Sequence, residues 1–145
     1  MQLIRALHIL KYDPNRKRFQ SDTFKNYKGG ISVFEELCAK KTSGDICTHI
    51  KTYYGNFSNP PIIYCKFTSK ELEASIGSIS LNISNTPSDS GDSCHRDIKN
   101  VNDKDAQFFC KNHFKSPNIF VCCKGKEIQV TQNQYEDLSN FVQQC

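Results

Sequence analysis

The chain has 145 residues, of which 37% are apolar, 11% aromatic and 23% charged, a composition that supports one domain with a real core and excludes a disordered chain. Its net charge of +4 is concentrated at the start, where Met1 to Lys28 carry seven basic and two acidic residues, a surplus of five. No apolar run reaches bilayer length and no small-residue cleavage site follows the first strand, so the expectation is a cytoplasmic protein with no membrane partner.

Leu3 to Tyr12 reads as a strand, closed by the turn residues Asp13-Pro14-Asn15. A second extended segment running to about Lys25 would complete a basic hairpin. Gly29-Gly30 breaks the chain before a short strand at Ile31-Ser32-Val33-Phe34. Thr42 or Ser43 is placed to cap a helix with Ile46, Ile50 and Tyr53 or Tyr54 on one stripe, and Gly55 is placed to end it. Pro60-Pro61 leads into Ile62 to Phe67, the strongest interior strand by β-branched and aromatic content.

Thr68 and Glu71 have the spacing of a reciprocal cap, and Gly77 stops the short helix they begin. Ile79, Leu81 and Ile83 alternate with polar residues, as in a half-buried strand. Residues 85–93 are rich in Ser, Asp, Pro and Gly and read as a flexible polar loop. A helix from about Asp103 carries Ala106, Phe109, Cys110 and His113. A strand over Asn118 to Cys123 turns at Lys124-Gly125-Lys126 into Glu127 to Val130. Thr131, with Gln134 three residues on, caps a last helix whose stripe is Tyr135, Leu138 and Val142. No repeat or linker divides the chain. The order of elements predicts a single α+β domain, residues 1–145, with a mixed or mostly antiparallel sheet covered by three to four helices.

Eight cysteines are the compositional oddity. The even count and the sequons Asn56-Phe57-Ser58 and Asn82-Ile83-Ser84 would suit a disulfide framework. Against it, Cys65, Cys110, Cys122 and Cys123 lie in apolar segments, and neighbours Cys122 and Cys123 face opposite sides of a strand. Reduced thiols are therefore expected.

Several constellations could carry chemistry. Cys94, Cys110, His113 and Cys122 offer soft ligands, and Cys110 and His113 can share one helix face, so zinc is a possible cofactor. No paired C-x-x-C knuckle supports it, and each residue also fits a purely structural place. Cys47 and His49 diverge on a helix and cannot pair as nucleophile and base. Gly29-Gly30 lacks the residues of a phosphate loop. Glu35-Glu36 and Asp103-Asp105 do not form a hydrolytic pair, so no catalytic residue is assigned. Arg16, Lys17, Arg18, Lys25 and Lys28, interleaved with Phe19, Phe24 and Tyr27, could hold an acidic partner or a nucleic-acid backbone. The plainer account is a solvated hairpin rim.

Arg5, then Ser21-Asp22-Thr23-Phe24-Lys25, then Gly30-Ile31-Ser32-Val33 and Pro60-Pro61-Ile62 resemble the N-terminal pattern of a loose group of small uncharacterised bacterial proteins. The resemblance covers about the first 70 residues and implies a small partner in a defence or mobile gene set. It carries over no site residue. The expected function is a non-enzymatic interaction protein, such as an antitoxin, immunity protein or accessory subunit. A nucleic-acid-associated protein and a zinc-assisted enzyme or zinc-stabilised domain are the alternatives.

Overall fold

The computed structural model describes residues 1–27, 29–54, 62–77, 81–85 and 91–145. Lys28, Gly55, Pro60-Pro61, Ile79, the first sequon and most of the polar loop lie outside them. The fold is α+β, as expected, with one seven-stranded sheet in which every pairing is antiparallel.

The strands of this sheet are β1 (Gln2–Leu7), β4 (Ile31–Glu35), β5 (Ile62–Thr68), β6 (Asn82–Asn85), β7 (His95–Lys99), β8 (Ile119–Cys123) and β9 (Lys126–Gln129). Their order is β6-β7-β4-β1-β5-β8-β9. β2 (Tyr12–Asp13) and β3 (Arg18–Phe19) form a separate hairpin. The predicted long first strand is therefore cut. It ends at Leu7, passes through a single 3-10 turn at Ile9–Lys11, and resumes as β2. His8 makes this break by accepting from Leu10 N on Nδ1, a cap no hydrophobic pattern reveals.

Helices sit on both faces, so the domain has three layers. On one face lie α1 (Glu36–Ser43) and α2 (Ile46–Tyr53). On the other lie α3 (Ser69–Ile76), α4 (Asp103–His113), α5 (Gln132–Glu136) and α6 (Leu138–Gln143). Thr68 and Thr131 both close reciprocal caps, with Glu71 and Gln134, as their spacing predicts. The last helix is divided at Asp137, which raises the count above the three or four expected. α1 was not legible at all. The strand expected at Ile31 to Phe34 runs on to Glu35, and Glu36 begins the helix. Asp45, not Thr42 or Ser43, caps α2 by accepting from Thr48 N.

The two layers are unequal. The four-helix side buries a continuous core that includes Leu3, Phe24, Phe67, Phe109 and Leu138, with Phe24 edge-on to Phe67 at 5.4 Å. Among the described residues, the two-helix side buries eight in its core, including Ile4, Phe34, Ala39, Ile46, Ile50 and Tyr64. So small a core is a weak anchor for two short helices. Covalent bonds supply what the core lacks.

The expectation of reduced thiols is overturned. Cys38 is bonded to Cys94, Cys47 to Cys122, and Cys123 to Cys145. Cys122 and Cys123 do face opposite sides of β8. Instead of excluding disulfides, that geometry gives each sulfur its own partner, one on each face of the sheet. The first two bonds pin α1 and α2 to the sheet across separations of 56 and 75 residues. On the loop-entropy argument each is worth about 4 kcal/mol. Only Cys65 and Cys110 are free, and both are buried.

Polar contacts add to the same layer. Lys66 on β5 bridges Glu36 of α1 and Glu127 of β9, each at 3.0 Å, and lies over the Phe120 ring. Burial raises the Glu36 carboxyl, but Lys40 and Lys66 outweigh it and hold the group below its ordinary value.

Thiol counting on unfolded protein should find two groups before reduction and eight after. Replacing Cys47 by Ala together with Cys122 by Val should cost about 2–5 kcal/mol in urea unfolding. Because the folded Glu36 carboxyl sits low, its stabilisation is complete above the ordinary carboxylate range and fades as pH falls from about 5 to 3. Glu36→Gln should flatten that part of the stability profile.

Candidate functional site

Two places carry chemistry-bearing side chains: a buried polar chain under the two-helix layer and a basic cleft at the β2–β3 hairpin.

The buried chain starts on α2. Ile46, His49 and Ile50 occupy one helical stripe and all point at the sheet. His49 is fully buried against Phe34, with ring centroids 4.9 Å apart. Its Nε2 meets Asp92 Oδ1 at 2.9 Å and its Nδ1 meets Ser43 Oγ at 2.9 Å. The Tyr54 hydroxyl donates to Asp92 Oδ2 at 2.6 Å, and Cys94 N donates to Oδ1 at 2.8 Å. Burial, then the Asp92 contact, pushes the Tyr54 phenol far up, so it stays a donor.

Asp92 belongs to the segment expected to be a flexible loop. It is fully buried, and with Cys94 bonded to Cys38 it fixes the end of that segment to α1 and α2. Residues 86–90 of the expected loop lie outside the described ones.

Ser43, His49 and Asp92 invite comparison with a nucleophile–base–acid relay. The surroundings argue against that role. His49 and Asp92 have no exposed surface, and Ser43 sits at the C-terminal end of α1, where carbonyls rather than N–H groups converge. The chain is built as an internal tie between α1, α2 and the start of β7.

The same cluster bears on metal binding. Among the described residues, His49, Asp92 and Cys94 are the one group of three ligand atoms close enough to share an ion. The Cys94 sulfur is already bonded to Cys38, which leaves an imidazole and a carboxylate. The ligand set Cys94, Cys110, His113 and Cys122 is not brought together. Cys94 and Cys122 are in separate disulfides, Cys110 Sγ lies 3.5 Å from Gln20 O, and His113 Nε2 lies 3.3 Å from Lys66 O. Burial pushes the Cys110 thiol up to about 12 and Cys65 well above its ordinary value, so neither offers a thiolate near neutral pH. Burial likewise lowers the His113 imidazole, against the smaller upward pull of Glu71.

The basic cleft is built by the hairpin and α4. Asp13 Oδ1 accepts from Asn15 N and Arg16 N, which folds the turn, and Lys17 completes it at a φ of 56°. Tyr12 and Phe19 anchor the two strands on Tyr135: the Tyr12 hydroxyl donates to Tyr135 O, and Phe19 N donates to the Tyr135 hydroxyl at 3.3 Å. With the rings turned inward, Arg16, Lys17 and Arg18 are turned out. α4 packs on the 3-10 turn at Ser21–Thr23 and adds Lys111. Arg16, Arg18 and Lys111 then line one cleft of about 300 Å³, with Gln20 and Ser21 between them. Asp13, 3.8 Å from the Arg16 guanidinium, is the one acid among the described lining residues. Lys25 is exposed but does not line this cleft, and Lys28 lies outside the described residues.

Sequence reasoning found Arg16 and Arg18 and missed Lys111, which is distant in the chain. It also missed the His49–Asp92 pair. The stripe Ile46, His49, Ile50 was a usable signal that His49 points inward; nothing marked Asp92 as its partner.

Comparison with known protein families, with curated proteins and with solved structures finds no match.

Removing one member of the buried pair leaves the other uncompensated. Asp92→Ala should therefore cost about 3–5 kcal/mol in urea unfolding, well beyond a typical surface change. His49→Phe, which keeps the ring against Phe34 but abandons Asp92, should also destabilise the fold.

Proposed function

We propose that this is a non-enzymatic interaction protein that takes an acidic protein partner at the hairpin cleft. The observation that carries the reading is the convergence of Arg16, Arg18 and Lys111 from two separate elements on one recess. A solvated rim would scatter such charges, whereas a shared recess offers several donors to one carboxylate-bearing segment. The closed state of the Ser43–His49–Asp92 chain supports a binding rather than a catalytic role. An antitoxin, immunity or accessory role would be of this kind, and the N-terminal resemblance implies a small partner in a defence or mobile gene set.

Three disulfides favour an oxidising compartment over the cytoplasm expected from sequence. No helix of the described residues is long and apolar enough to cross a membrane.

The test compares a polyglutamate peptide with a single-stranded oligonucleotide, using the native protein and a variant carrying Arg16→Glu, Arg18→Glu and Lys111→Glu. The expected result is saturable binding of the peptide that the variant weakens by about tenfold or more. Binding of the oligonucleotide alone, falling steeply with salt, would favour the nucleic-acid reading instead.

A further inference from the structure

β1 is the middle strand of the sheet, yet it pairs with β4 only at Leu3↔Glu35 and Ile4↔Phe34. On its other edge the pairing with β5 runs on to Leu7↔Ile63. Beyond Ile4 the sheet therefore opens along one seam. The Arg5 side chain fills part of that opening. Its Nη1 donates to Ser32 O at 2.6 Å, across the gap, and its Nη2 donates to Thr23 O at 3.2 Å.

Both acceptors are neutral carbonyls. Among the described residues Arg5 forms no ion pair, and its Nε is buried without a hydrogen-bond partner. Burial pulls its pKa down from the ordinary arginine value, against smaller upward pulls from Cys110 and Tyr54. Arg5 as a whole is half-buried; an arginine with no paired anion is a ready partner for one, and its planar fork matches a carboxylate.

The seam also holds space. A cleft of about 180 Å³ is lined by Ile4, Arg5, Ala6, Ser32, Val33, Phe34 and Tyr54, with the apolar side chains of Ile4 and Phe34 on the face that carries Tyr54. The Tyr54 hydroxyl is committed to Asp92, so its ring rather than its oxygen is free to serve the cleft. Ser32 Oγ is in contact with His95 Nε2. The walls are thus mainly hydrocarbon and aromatic, with one cation among them.

We propose that the opened β1–β4 seam is a binding site for a small organic monocarboxylate with an apolar body, up to about the size of benzoate. The carboxylate would meet the Arg5 guanidinium, and the body would lie against Ile4, Phe34 and the Tyr54 ring. The site shares no residue with the hairpin cleft, so the two readings stand or fall separately.

Benzoate, its neutral counterpart benzamide, and inorganic phosphate are titrated into isotopically labelled native protein and followed by amide shifts. Benzoate should give saturable shifts centred on residues 4–6 and 32–34, and benzamide and phosphate should not. Arg5→Met should weaken benzoate at least tenfold, and Ala6→Phe, which fills the cleft without touching the charge, should abolish binding. The proposal is overturned by unsaturable or scattered shifts, by equal binding of benzamide, or by a response to phosphate alone. The native-protein titration decides the matter even if Arg5→Met does not fold.

Discussion

The two-helix layer cannot hold itself. Among the described residues, α1 and α2 share a buried core of eight with the sheet, and the bonds from Cys38 to Cys94 and from Cys47 to Cys122 convert that loose contact into a fixed one. Much else follows from this constraint. Once the layer is pinned, His49 and Asp92 are brought into register from opposite sides of the chain, and Tyr54 is held over the seam beside Arg5. Burying a histidine and an aspartate there is tolerable only because every contact they need is delivered by the same pinned elements.

The opposite layer is held differently. Its aromatic core around Phe24, Phe67, Phe109 and Phe114 is large enough to stand without covalent help, although Cys123 is bonded to Cys145 on that side. The hairpin that presents Arg16 and Arg18 is an extension of this core. Tyr12, Phe19 and Tyr135 pack ring against ring and exchange hydrogen bonds, so the charged edge of a short two-stranded unit is held steady. A hairpin of that size is marginal by itself.

The α+β class, the caps at Thr68 and Thr131, the β8–β9 turn and the interior strand Ile62–Thr68 were legible because each depends on residues near one another in the chain. What escaped was non-local. α1 carries too few apolar residues to form a visible stripe, since it is attached in large part by a disulfide and an ion pair to Lys66. The polar segment ending at Asp92 looks mobile by composition, and its order comes from partners on α2. Cys122 and Cys123 illustrate the same point: alternation along a strand correctly put them on opposite faces, but only the tertiary fold supplies Cys47 and Cys145 to meet them. Of the candidate sites, half of the basic cleft could be read from the chain. The open seam could not, because a gap between paired strands leaves no mark in either strand's sequence.

The adjacent cysteines of β8 have one more implication, for how the molecule reaches its folded state. In an unfolded chain two neighbouring thiols are nearly indistinguishable to an incoming partner. They become distinct only when β8 lies in its correct register between β5 and β9, one sulfur on each face. A slip of a single residue would exchange the two faces and present each thiol to the wrong layer. Oxidation before the sheet is aligned would thus trap crossed pairs, and oxidation after it would not. The sheet acts as the sorting device, and the covalent pattern records whether the sheet was assembled first.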